Sequence, residues 1–147
     1  LSVSIDTNIL VYAYDRSDRF KRKAAETYLE RHLIDLKPIA GQVLGEFLNT
    51  AHRKKVIDTS LACEVVRRIA GICPIFEATP GLRIAASALC DRHKIQFFDA
   101  LLCQTLASMN VTTLLSEDLS DGETYGGVTI LNPFNPANIG RIAEAYA

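Results

Sequence analysis

Four carboxylates stand where an apolar chain has little use for charge. Asp6 lies in VSIDTNIL, between Val3-Ser4-Ile5 and the apolar run Ile9-Leu10-Val11. Glu46 lies in QVLGEFLNT, Asp99 in IQFFDALLC, and Asp118 follows VTTLLS in the phrase SED. A carboxylate among residues that favour burial must be neutralised, fully hydrogen-bonded, or holding a cation. Plainer readings stand beside that one. Asp99 suits a helix N-cap. Glu46 suits the wet face of a helix, although Leu44 and Phe47 crowd it. Any of Glu117, Asp118 or Asp121 in LLSEDLSDG suits a turn. Asp6 is the hardest to explain as structure alone. Taken together, four acids at the ends of apolar segments point to a cation site.

The ligand types choose the cation. The cysteines, Cys63, Cys73, Cys90 and Cys103, form no C-x-x-C pair, and His32, His52 and His93 show no ligand spacing. Zinc is therefore not expected. Buried free thiols in a reducing cytoplasm account for the cysteines. Oxygen-only ligands suit a hard ion, Mg2+ or Mn2+. One such ion activates a water and orients a phosphate, and a second, roughly 3.5–4 Å away, stabilises the leaving oxygen. Phosphodiester hydrolysis is the natural reaction for that arrangement.

Charge allows a nucleic acid partner without demanding one. The net charge of −1 hides an asymmetry: residues 1–73 carry 12 Lys+Arg against 9 Asp+Glu, and residues 74–147 carry 4 against 8. Two basic clusters, Arg19-Phe20-Lys21-Arg22-Lys23 and Arg53-Lys54-Lys55, account for much of the first half. They read equally well as phosphate contacts or as solvated helix faces. Arg53 follows Glu46 by seven residues, which places it two turns along the same helix face. There it either meets a phosphate or finishes a solvated helix end.

The elements that must position these residues follow from periodicity. Short apolar strands are expected at 3–5, 38–40, 74–76, 111–115 and 128–131. Helices are expected at 19–34, 42–53, 59–72, 80–93 and 99–109, with a last one from Asn135 onward. Pro80 fits a first helical turn, and Asp58 or Thr59 caps the helix before it. Strands alternating with helices predict an α/β fold, a parallel sheet covered by helices on both faces. Ligands in such sheets gather beyond the carboxyl ends of the strands, where Asp6 and Asp118 both fall. The 147 residues fit one domain, 1–147, with a sizeable core. No apolar stretch approaches the roughly 20 residues of a membrane span, and no secretory pattern opens the chain, so a cytoplasmic protein is expected.

The sequence resembles the PIN-domain family, and within it the VapC-like toxins of bacterial and archaeal toxin–antitoxin pairs. The resemblance rests on IDTNILVYA at 5–13, GEFLN at 45–49, FFDALL at 97–102, LLSEDLSDG at 114–122 and GVTILNPF at 127–134, in that order. It implies a Mg2+- or Mn2+-dependent ribonuclease on a parallel sheet of four or five strands. Carried over residue by residue, Asp6, Asp99 and Asp118 become metal ligands, and Glu46 binds metal or positions the attacking water. Asn8 and Ser116 become supporting hydrogen-bonding groups, and Asp121 an outer acid or a loop residue. The resemblance also implies a structured RNA substrate, a small antitoxin partner that blocks the pocket, and a homodimer.

Other readings remain open at this stage. A Mg2+ phosphatase of the haloacid dehalogenase type also begins with Asp after a first strand. That class wants a second Asp two residues on, where this chain has Asn8, and no matching lysine motif follows. A PIN fold without catalysis would be a binding module, but all four acids are present. Flap-type DNA nucleases carry more acids on longer chains.

Overall fold

Val3–Ile5 forms the first strand, β1, and all three of its residues are buried. The computed structural model describes residues 3–147. Asp6 then turns the chain at once into a helix, α1 (Thr7–Tyr14), by accepting a hydrogen bond from the Thr7 N–H. Periodicity gives this segment no helix, because Thr7, Ile9, Val11, Tyr12 and Tyr14 all favour strands. Burial of Ile9, Leu10 and Ala13 in the core, together with the Asp6 cap, outweighs that preference.

The remaining helices lie close to where apolar spacing puts them. They are α2 (Arg19–Ile34), α3 (Gly41–Lys54), α4 (Thr59–Ile72), α5 (Pro80–His93) and α6 (Phe97–Ala107). Asp18, Asp58 and Thr79 cap α2, α4 and α5 through side-chain oxygens, and Pro80 sits in the first turn of α5. A short 3₁₀ turn, Pro136–Asn138, leads into α7 (Ile139–Tyr146). No helix among the described residues is long and apolar enough to cross a membrane.

The other strands are β2 (Ile39–Ala40), β3 (Ile75–Phe76), β4 (Thr113–Leu115), β5 (Thr124–Tyr125) and β6 (Val128–Leu131). The main sheet runs β1-β4-β6-β5. Its first three strands are parallel, with Ile5 beside Leu115 and Leu115 beside Leu131. This is the expected α/β architecture with two differences. The edge strand β5 pairs antiparallel with β6, because Gly126 and Gly127 turn the chain back with positive φ angles of 58° and 88°. Short β2 and β3 pair with each other instead of joining the ladder. They are tied to β1 where the buried Ser4 hydroxyl donates to the Pro38 carbonyl at 2.7 Å.

The core gathers Val3, Ile5, Leu114, Leu115, Val128, Ile130 and Leu131 from the sheet and Phe47, Leu89, Leu102 and Leu106 from the helices. Each large side chain so buried is worth about 1.5–3 kcal/mol. His32 is also fully buried, a polar tie among these apolar layers. Its Nε2 meets the Pro38 carbonyl at 3.0 Å and its Nδ1 meets the Tyr146 hydroxyl at 2.9 Å. Since a carbonyl only accepts, the proton belongs on Nε2, and Tyr146 donates to Nδ1. This tie fastens α7 to α2.

Candidate active site

The parallel ladder continues one residue past the ends of β1 and β4. The Asp6 N–H donates to the Leu115 carbonyl at 3.0 Å, and the Ser116 N–H to the Leu131 carbonyl at 3.1 Å. Asp6 and Ser116 thus stand side by side at the carboxyl edge of the sheet. Ser116 is fully buried and Asp6 is 4% exposed. The Ser116 hydroxyl donates to Asp6 Oδ2 at 2.7 Å, while its oxygen accepts from the Asp118 N–H at 3.1 Å and from Asn8 Nδ2 at 3.3 Å. Its one proton is committed to Asp6, so the Asn8 group facing it must be the NH2. That leaves Asn8 Oδ1 buried with no donor.

Glu46 reaches the same edge from α3. It accepts from the Thr7 hydroxyl at 2.9 Å and from Gln42 Nε2 at 3.0 Å. Gln42 also donates to the Phe98 carbonyl at 2.9 Å, which ties Glu46 to the start of α6. Neither Thr7 nor Gln42 stands out in the sequence as a site residue. Thr7 directly follows Asp6, and Gln42 stands one helical turn before Glu46, a spacing that makes helix neighbours. Asp99 lies in the first turn of α6, whose N-cap position is Gln96. The capping reading of Asp99 is thereby corrected: α6 starts at Phe97, two residues earlier than expected, and Asp99 caps nothing.

Electrostatics shows that the four acids share one neighbourhood. Burial pushes the Asp6 carboxyl up to about 6, and repulsion from Asp118 and Glu46 adds to the rise against the opposing bonds from Ser116 and Thr7. Asp99 is raised for the same reasons, burial first and then Asp118 and Glu46. The buried Cys103 thiol is pushed up to about 12 by burial and by the charges of Asp6 and Asp99. Among the described residues, however, no three His, Cys, Asp or Glu side chains converge tightly enough to hold one ion. The carboxylates are near enough to repel one another without closing on a common point. The donor set still fits a hard divalent ion: it is all oxygen, it carries excess negative charge, and it includes the orphaned Asn8 carbonyl.

Asp121 is placed differently. It accepts from the Asn132 N–H and from the amides of Asn135 and Asn138 at 2.9–3.0 Å, tying the loop after β4 to the chain after β6. Burial alone would raise its carboxyl, but these donors together hold it below the usual carboxylate range. The first basic cluster is partly spoken for as well. Lys21 bonds Glu117 at 2.8 Å and lies over the Tyr12 and Phe134 rings, and Arg22 faces Glu26.

Two hollows flank the acids. One, of about 390 Å3, is lined by Asn8, Tyr12, Glu46, Arg53, Lys54 and Asp118 among others. The other, of about 490 Å3, is lined by Lys94, Gln96, Asp99, Asp118, Ser120 and Tyr125 among others. A larger apolar cavity of about 660 Å3 lies between α2 and α7, and none of the four acids lines it. Size alone would favour that cavity as the site. The acids, which carry the chemistry, decide against it.

A family comparison matches the PIN domain over residues 3–120. The chain belongs to the PIN domain family. No curated protein matches it in sequence. Solved structures share the PIN fold at low identity. VapC20 of Mycobacterium tuberculosis, described as a sarcin–ricin loop cleaving toxin, is 18% identical with a TM-score of 0.65, over 80% of this chain and 92% of its own. A toxin–antitoxin complex from Klebsiella pneumoniae gives 18% and 0.66, over 90% of this chain and 98% of its own. VapBC2 from Rickettsia felis, bound to a promoter DNA fragment, gives 16% and 0.64 over the same shares. This PIN chain therefore has the fold of proteins described as toxins and toxin–antitoxin complexes.

Proposed function

We propose that this PIN protein is a Mg2+- or Mn2+-dependent endoribonuclease, the toxin of a VapBC-type toxin–antitoxin pair. One observation carries the reading. Asp6, Glu46, Asp99 and Asp118 come from four separate segments, and their charges act on one another at the carboxyl edge of the sheet. A protein gains no stability from such repulsion, so a bound cation is the natural use for it. The relative from Mycobacterium tuberculosis cleaves an RNA loop by its description, and the Klebsiella pneumoniae relative is a complex with an antitoxin. We read residues 1–147 as one PIN domain, cytoplasmic, and paired as a homodimer.

In this reading Asp6, Asp99 and Asp118 hold the metal. A bound Mg2+ or Mn2+ would generate a nucleophile from water at neutral pH and offset phosphate charge. Ser116 keeps Asp6 turned toward the site and, by accepting from the Asp118 N–H, sets the backbone that carries Asp118. Thr7 and Gln42 hold Glu46 where it can position the attacking water and take its proton. Asn8 braces Ser116, and Asp121 ties the surrounding loop.

The test is cleavage of RNA by purified protein in Mn2+ or Mg2+, beside EDTA and the Asp6→Asn variant. Cutting that needs both metal and Asp6 supports the reading. Metal binding without cutting of any RNA would leave a non-catalytic binding module.

A further inference from the structure

The two hollows meet at Asp118, which lines both; Glu46 lines the first and Asp99 the second. Each has cations at its wall. Arg53 and Lys54 belong to the last turn of α3, seven and eight residues beyond Glu46, about 10–12 Å along the helix at 1.5 Å per residue. Lys94 closes α5 in the left-handed conformation, φ 56°, on the Asp99 side. Among the described residues none of the three joins an ion pair, unlike Lys21, Arg22, Arg31 and Arg67. Lys54 lies close enough to Asp15 to favour that group's charged form, after the bonds Asp15 accepts from Ser17. The hollows also offer hydrogen-bonding groups beside the cations, Asn49 and Thr50 in one and Gln96 and Ser120 in the other.

We propose that these hollows are two nucleotide subsites on one path. A single RNA strand crosses the acids, its phosphates met by Arg53 and Lys54 on one side of the scissile bond and by Lys94 on the other. The inference rests on the nuclease reading and deepens it. Grip on both sides of the acids requires chain on both sides of the bond that breaks, which is the geometry of internal cleavage.

The experiment measures binding of a fluorescein-labelled, random-sequence, single-stranded RNA of twelve nucleotides in EDTA, across a salt series. The proteins are wild type, Arg53→Gln/Lys54→Gln, Lys94→Gln, the triple variant, and Lys23→Gln as a control on the distant α2–α7 cavity. Each phosphate of a single strand left without its cation reduces the slope of log K against log salt by about 0.7, so the double variant should fall by about 1.4 and Lys94→Gln by about 0.7. Lys23→Gln should match wild type. Cleavage of the same RNA by wild type in Mn2+ is followed alongside. Cleavage with a triple variant that keeps the wild-type slope overturns the path and leaves the nuclease. Reduced slopes without cleavage keep the path and overturn the nuclease. No RNA binding by wild type overturns both, and reduced slopes for only one side reduce the path to a single subsite and overturn the two-sided grip.

Discussion

Replacing Asp6 by Asn should make the metal-free protein more stable, and the amount can be worked from the structure. The carboxyl moves from 3.8 to about 6 on folding. A rise of that size means that the ionised form costs roughly 3 kcal/mol of stability, fully present above pH 6 and gone below pH 4. Asparagine keeps the Thr7 cap, since Asn and Asp cap helices equally well, and its amide replaces Asn8 as donor to the Ser116 oxygen once the Asn8 amide flips and takes the Ser116 proton on Oδ1. The buried His32 contributes with the opposite sign. Burial lowers its pKa from 6.5 to about 4, so the neutral ring is favoured in the fold. That preference supports folding above pH 6.5 and is lost as pH falls toward 4, again roughly 3 kcal/mol. In the wild type the two changes offset each other between pH 6.5 and 4. In Asp6→Asn the His32 loss stands alone. Urea unfolding in EDTA from pH 8 to pH 4 should therefore show a variant that leads at pH 8 by up to about 3 kcal/mol and converges with wild type near pH 4. Mn2+ should stabilise wild type by mass action and leave the variant unmoved. A variant less stable than wild type at pH 8 by more than about 1 kcal/mol, the size of a lost cap, would make Asp6 a structural residue and refute the reasoning.

Other substitutions test single interactions. Ser116→Ala removes the hydroxyl shared by Asp6, Asn8 and the Asp118 N–H, and should lower stability by about 2–3 kcal/mol and RNA cleavage with it; denaturation and activity assays read the two separately. Tyr146→Phe leaves His32 Nδ1 without its donor, which should cost about 1–3 kcal/mol in urea unfolding while cleavage at 25 °C is unchanged. Asp121→Ala frees the Asn132 N–H and two amides, so a loss of about 2 kcal/mol is expected with Mn2+ affinity intact by calorimetry; lost Mn2+ binding would make Asp121 a ligand.

Residue order alone determined most of the scaffold. Helical spacing of apolar residues marked α2 to α6, short apolar runs marked β1, β4 and β6, and Asp58 and Pro80 marked helix starts, because these signals act over a few neighbouring residues. The four acids were also visible, since a charge inside an apolar segment is anomalous wherever it folds. Tertiary structure decided the rest. Burial of Ile9 and Leu10 made a helix of a segment whose residues favour strands. Continuation of the ladder past Ile5 and Leu115 put Ser116 against Asp6 across 110 positions of chain. The burial and, after it, the repulsion that raise Asp6 and Asp99, the role of Thr7, and the separation of Asp121 from the acids all depend on packing between residues remote in sequence. Local pattern records which side chains are present and which face they share. Only packing sets how near one carboxylate comes to the next, and Coulomb interaction in a poorly solvated pocket depends on that distance.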